Sequence, residues 1–154
     1  MDDAMRDDVA TNRTPMHLWI FGIVALLWNG FGCYDYMMSR QRNTDYLASM
    51  MPDIDPNAAL AWMDSFPIWA SFGWGLGVWM GLAGAILLLM RSRWAVPAFG
   101  LSLLGAVIGL GYQMAHPMPG IEGFMATGMP MIIILVAVGQ FIYARALNRK
   151  GLLR

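Results

Sequence analysis

Residues 67–90 read Pro67-Ile-Trp-Ala-Ser-Phe-Gly-Trp-Gly-Leu-Gly-Val-Trp-Met-Gly-Leu-Ala-Gly-Ala-Ile-Leu-Leu-Leu-Met90, without a single charge. As a helix rising ~1.5 Å per residue, this stretch runs roughly 36 Å, longer than the ~30 Å hydrocarbon core of a bilayer. Gly73, Gly77 and Gly81 recur at every fourth position, and Gly84 and Ala85 extend the row. Positions four apart share a helix face, so one side of the helix carries almost no side chains. In water each such glycine weakens a helix by about 1 kcal/mol relative to alanine. In lipid the backbone has to satisfy its own hydrogen bonds, and the bare strip becomes a surface for close helix approach. The stretch is therefore expected to be the central helix of a membrane bundle.

The rest of the composition agrees. Of the 154 residues, 58% are hydrophobic and 13% charged, where soluble domains carry about 25% charged residues. Mean hydropathy is +0.50. Formal net charge is zero, so no basic surface points to nucleic acid. The single cysteine, Cys33, excludes an intramolecular disulfide framework and a cysteine-rich metal site. The 15 methionines show no compact Met-x-x-Met array and read as packing residues.

On either side of the glycine row three further apolar spans follow from the same logic. His17 to Met38 is too long for a signal-peptide core, lacks a small-x-small cleavage site and is expected to stay in the mature protein. Gly22, Ala25, Asn29 and Gly32 give it one small face bearing an amide. Arg91-Ser92-Arg93 allows only a tight turn, so the span from Trp94 to Ala115 runs antiparallel beside the glycine helix. Its small face, Ala98, Ser102, Gly105 and Gly109, is expected to meet the glycine row. After the breaker-rich turn 116–123 the last span covers Phe124 to about Leu147, with Pro130 in its first turns. Residues 39–66 form the one long polar connection. Thr44 is expected to cap a first short helix, and Asp55-Pro56 to open a second, both lying at the membrane surface. The expected architecture is an all-α, integral membrane four-helix bundle over residues 16–148. Its spans lie at about 17–38, 67–90, 94–115 and 124–147, with short interfacial helices in the first outer loop. A polar tail, 1–15, precedes the bundle, and a basic tail, 149–154, follows it.

Four spans put both termini on one side. That side, with the 91–93 turn, carries Arg6, Arg13, Arg91, Arg93, Arg145, Arg149, Lys150 and Arg154, against Arg40 and Arg42 on the other. By the positive-inside rule both termini are cytoplasmic.

Residues able to carry chemistry are few. His17 and His116 fall at opposite ends of the bundle, cannot share a haem or metal, and read as interfacial histidines; they are the only cofactor-binding candidates, and no cofactor or metal is expected. Asp35 is the one acid within a span. It reads as an interfacial carboxylate held by Arg40 or Arg42, with a proton or cation relay as the functional alternative. Asn29 lies six residues earlier, off Asp35's face. Gln113 and Gln140 are expected to make interhelical hydrogen bonds. No phosphate-binding loop, nucleophile elbow, zinc-protease motif or Cys-x-x-Cys occurs, so no enzymatic activity is expected. Gly73, Gly77, Gly81, Gly84, Gly105 and Gly109 are helix-packing residues; Asn29, Asp35 and Gln113 are the candidate polar or relay residues.

Leu26-Leu27-Trp28-Asn29-Gly30, Asp35-Tyr36-Met37, Phe66-Pro67-Ile68-Trp69 and Trp94-Ala95-Val96 together resemble a group of small bacterial inner-membrane proteins of about this length. Their role is unassigned, and automatic labels sometimes call them sugar transporters. The resemblance covers roughly residues 17–147. It implies four spans in a bacterial inner membrane and brings no catalytic or binding residues. The function expected from sequence is that of a non-enzymatic membrane protein acting through helix contacts. It would be an accessory subunit of a larger membrane complex or a homo-oligomer, partnered by lipid and by other subunits or itself. Small-solute or ion transport through an oligomer is the alternative.

Overall fold

The computed structural model describes residues 14–154; the acidic and basic residues of the N-terminal stretch, Arg6 and Arg13 among them, lie outside the described residues. The elements are α1 (Met16–Arg40), α2 (Thr44–Met50), α3 (Pro56–Asp64), α4 (Ile68–Leu89), α5 (Ala95–Ala115), a π-helical turn (Phe124–Gly128) and α6 (Met129–Arg149). α1, α4, α5 and the continuous helix from Phe124 to Arg149 are each long and apolar enough to cross a membrane. The chain is an all-helical bundle of four spans, the arrangement of a multi-pass membrane protein, with no strand among the described residues.

The α4–α5 hairpin is the backbone of the molecule and shows the most extensive pairing of any two elements. Its turn is fixed by a helix-ending motif. Arg91 takes a left-handed conformation (φ 58°). Its N–H donates to Leu88 O at 2.9 Å, and the Ser92 N–H donates to Leu87 O at 2.8 Å. Glycine usually fills that position; here arginine does, both at Arg91 and at Arg42 (φ 59°) beyond the end of α1. Along the hairpin the two small faces press together backbone to backbone. A Cβ on Gly77 would sit 3.0 Å from the Ala106 amide nitrogen, and one on Gly109 would sit 2.8 Å from that of Trp74. A Cβ on Gly105 would collide with the Gly77 amide and lie 2.7 Å from Gly73 O. The small-residue faces are thus consumed inside the chain and are not presented to a partner.

α1 packs on α4, where the Leu89 side chain fills the space a Cβ on Gly22 would need, and Cys33 Sγ donates to Val78 O at 3.2 Å. α6 packs on α5. α1 and α6 flank the hairpin without close backbone contact; long side chains bridge them instead. Tyr143 stacks on Phe21 (centroids 3.8 Å apart) and its hydroxyl lies 2.6 Å from His17 Nδ1. Asn29 Nδ2 donates to Gln140 Oε1 at 3.2 Å.

The two ends of the bundle differ. At the end holding the termini the core is dry and tight, built from Leu18, Ala85, Leu88, Phe99, Ala144 and Leu147. The last residues belong to it. The Arg154 N–H donates to Arg91 O at 2.6 Å, the Arg93 N–H donates to Arg154 O at 2.7 Å, and Leu153 is buried. The basic tail expected from the sequence at 149–154 is docked here and closes this end. At the other end α2 and α3 fold back as a cap. Asn43, not Thr44, is the N-cap of α2, its side chain accepting from the Tyr46 N–H at 3.0 Å. The helix-ending motif at Arg42 leaves Asn43 extended and Thr44 as the first helical residue. Asp55 caps α3 with Pro56 in its first turn. Leu47, Ala59 and Leu60 are buried beneath the cap, and the Trp62 indole N–H donates to His116 O at 2.9 Å.

Candidate functional site

Between the dry end and the cap the four spans do not close. A chamber of about 240 Å³ is lined by all of them, with Asn29 and Asp35 from α1, Trp74 from α4, Ser102 from α5 and Gln140 from α6. A second chamber of about 310 Å³ lies directly beneath the cap, bordered by Tyr46, Met51, Trp62 and Gln113. Asp35, Trp74, Leu110 and Ile133 border both, so the two volumes meet at a shared wall that contains one carboxylate.

The floor is built from amides. Asn29 and Gln140 sit near the middle of α1 and α6 and are 9% and 4% exposed. Asn29 Nδ2 donates both to Ala25 O (2.8 Å) and to Gln140 Oε1. Asn29 Oδ1 and Gln140 Nε2 make no hydrogen bond among the described residues, yet no fully buried polar atom there is unsatisfied. Each of the two atoms therefore keeps some accessible surface, one acceptor and one donor where the amides border the chamber. Gln140 also borders an apolar groove of about 640 Å³ between α1 and α6, lined by Phe21, Tyr143 and Ala146 on its terminal side. Ser102 Oγ donates to Gly77 O at 2.7 Å. Gly81 makes room for the group: a Cβ there would collide with Asn29 Oδ1 and reach Ser102 Oγ at 3.0 Å. That glycine serves the amide as much as helix approach.

The wall carries Asp35. One of its carboxylate oxygens accepts from the Tyr46 hydroxyl at 2.8 Å. The expected arginine partner is absent. Arg42 instead forks onto Asp64 at 2.9 Å, and that guanidinium holds the Asp64 carboxyl below the usual range. Arg40 also acts on Asp64 and is exposed. The reason is directional: past Arg40 the chain turns toward α3, away from the chamber. Burial first, then the hydrogen bond to Asp35, pushes the Tyr46 phenol above its usual range. No lysine, arginine or histidine borders either chamber among the described residues.

Asn29 and Asp35 are on different sides of α1, yet both border the lower chamber, Asn29 beside Gln140 and Asp35 where that chamber meets the upper one. Gln113 borders the upper chamber and makes no interhelical hydrogen bond among the described residues. His17 and His116 are not brought together. His17 is engaged with Tyr143, and the His116 ring stacks on Tyr112 with centroids 4.3 Å apart. No cluster of three or more His, Cys, Asp and Glu residues occurs among the described residues. Sequence reasoning missed Tyr46, which sits on a loop helix and reaches the site only through the fold of the cap. Trp74 lies off the glycine row of α4, and Tyr36 meets it edge-on at 4.9 Å.

Trp28 (42% exposed) and Phe31 (57%) border the chamber from α1. Among the described residues, polar and aromatic bridges between α1 and α6 are confined to Asn29–Gln140 and to the Tyr143 contacts nearer the termini. No protein-family model, curated protein or solved structure matches the chain.

Proposed function

We propose that this protein binds a small molecule within the membrane and acts as the binding element of a solute carrier or receptor, without catalysing a reaction. The observation that carries the reading is the pair of buried amides, Asn29 and Gln140, bordering a chamber lined by all four spans. A polar pair at this depth is costly unless it serves a partner or a bundle contact; here the Asn29 oxygen and the Gln140 nitrogen have no hydrogen-bond partner among the described residues. The packed core nearest the termini speaks against a standing pore and for a site reached from the capped end. The lysine and arginine asymmetry supports placing the termini in the cytoplasm of a bacterial inner membrane, so the cap and its chamber face outward.

The test is ligand retention. The chain, purified in lipid nanodiscs, is analysed by native mass spectrometry against lipid and metabolite extracts, alongside Ala137→Leu, which adds apolar volume to the chamber wall. The parent is expected to retain a bound small molecule and the variant to lose it while melting at the same or a higher temperature. Equal retention by both would sink the proposal. An accessory subunit or homo-oligomer remains the competing role; with its small faces used internally it draws less support, and a strict monomer without co-purifying protein would count against it.

A further inference from the structure

We propose that the ligand is a lipophilic organic cation, with Asp35 as its counter-charge. This rests on the chamber's being a binding site. Asp35 is the one charged residue bordering either chamber among the described residues, and it stands at their shared wall. Its one hydrogen bond among the described residues is from the neutral Tyr46 hydroxyl to one oxygen; Arg42 is paired with Asp64, and Arg40 is exposed and forms no ion pair with Asp35. A carboxylate within a membrane span is expensive without a cation or a proton; no cationic side chain among the described residues borders it, so the chamber is set up to receive one. An anion would meet only like charge. The surroundings suit an ammonium carried on an apolar body. Trp74 and Trp28 border the lower chamber and Trp74 and Trp62 the upper one, and indole faces attract cations, quaternary ammonium groups above all. The apolar remainder of the wall takes hydrocarbon.

Benzyltrimethylammonium and its uncharged isostere neopentylbenzene separate charge from shape. Binding to the full chain in nanodiscs is measured by equilibrium dialysis, with indole ¹⁵N–¹H signals of Trp28, Trp62 and Trp74 as a site-resolved readout. The cation is expected to bind saturably and to move the Trp74 signal. Asp35→Asn should weaken binding by about tenfold or more, the usual result of removing one member of a desolvated charge pair; Asp35→Glu should retain it within a few-fold. Absence of saturable cation binding in the millimolar range overturns the inference, as does equal binding of the isostere or an unchanged affinity in Asp35→Asn. If Asp35→Asn does not fold, the comparison of cation with isostere on the parent chain decides alone. A neutral ligand retained by the parent and lost in Ala137→Leu, together with a failed cation test, would overturn the ligand class and leave the binding site standing.

Discussion

At the scale of single residues the site turns on which partner each polar group finds. Asp35 was legible in the sequence as the one acid within a span; its partner was not. Sequence proximity favours Arg40 and Arg42, but the left-handed turn at Arg42 sends its guanidinium onto Asp64 and brings Tyr46 back over Asp35, while Arg40 stays exposed. A hydroxyl on a seven-residue loop helix leaves no trace in hydropathy or periodicity. The contact has a consequence in alkali. The Tyr46 phenol is held above its ordinary value by burial and by the carboxylate it donates to. Its neutral form is thus favoured by folding. The stabilisation is complete below the ordinary tyrosine value near pH ~10 and is lost as pH rises through the higher folded value. Thermal melts in nanodiscs are expected to fall above about pH 10, and to fall less steeply in Tyr46→Phe. Identical pH profiles for the two proteins would show that the phenol does not titrate with folding.

At the scale of elements the glycine row illustrates what spacing reveals and what it hides. A period of four in an uncharged stretch was enough to place α4 in lipid and to pair it with α5, because only close backbone approach makes such a row stable. Spacing did not distinguish the glycines from one another. Gly105 faces α4 backbone that has no freedom to move, with Gly73 O only 2.7 Å from where a Cβ would be. Gly139 on α6 has nothing within 4 Å of that position. Gly105→Ala is therefore expected to force the hairpin apart and destabilise the bundle by about 1–3 kcal/mol. Gly139→Ala should be neutral or stabilising by up to ~1 kcal/mol, since alanine is the better helix former. Steric-trap or denaturant unfolding in bicelles measures both. Equal effects would mean that the α4–α5 contact is looser than its geometry. Nor did spacing show that these faces meet within one chain. A strip suited to a neighbour reads the same whether the neighbour is the next helix or another molecule, and only the three-residue turn at 91–93 favoured the former.

At the scale of the whole molecule the two ends are built for different tasks. The terminal end is sealed by apolar side chains, with Phe99 and Leu88 fully buried and the C-terminal residues locked onto the α4–α5 turn. The capped end holds two adjacent chambers under short helices that rest on a few buried apolar side chains, Leu47 and Leu60 among them. Small caps anchored by few apolar contacts open at low cost in free energy, whereas the packed core at the terminal end offers no comparable unit. Access should therefore be one-sided. On a Cys33→Ser background, which keeps a donor for Val78 O, single cysteines report it through a membrane-impermeant thiosulfonate. Leu110→Cys and Ile133→Cys, on the shared wall of the chambers, are expected to react when the reagent is added at the capped face. Ala144→Cys, in the dry core, should stay unreactive from both faces. Adding a chamber-filling cation should slow the first two and leave the third unchanged. Rapid labelling of Ala144→Cys from the terminal face would mean that the seal opens at rest, and the molecule would then be a passage with two mouths rather than a pocket with one.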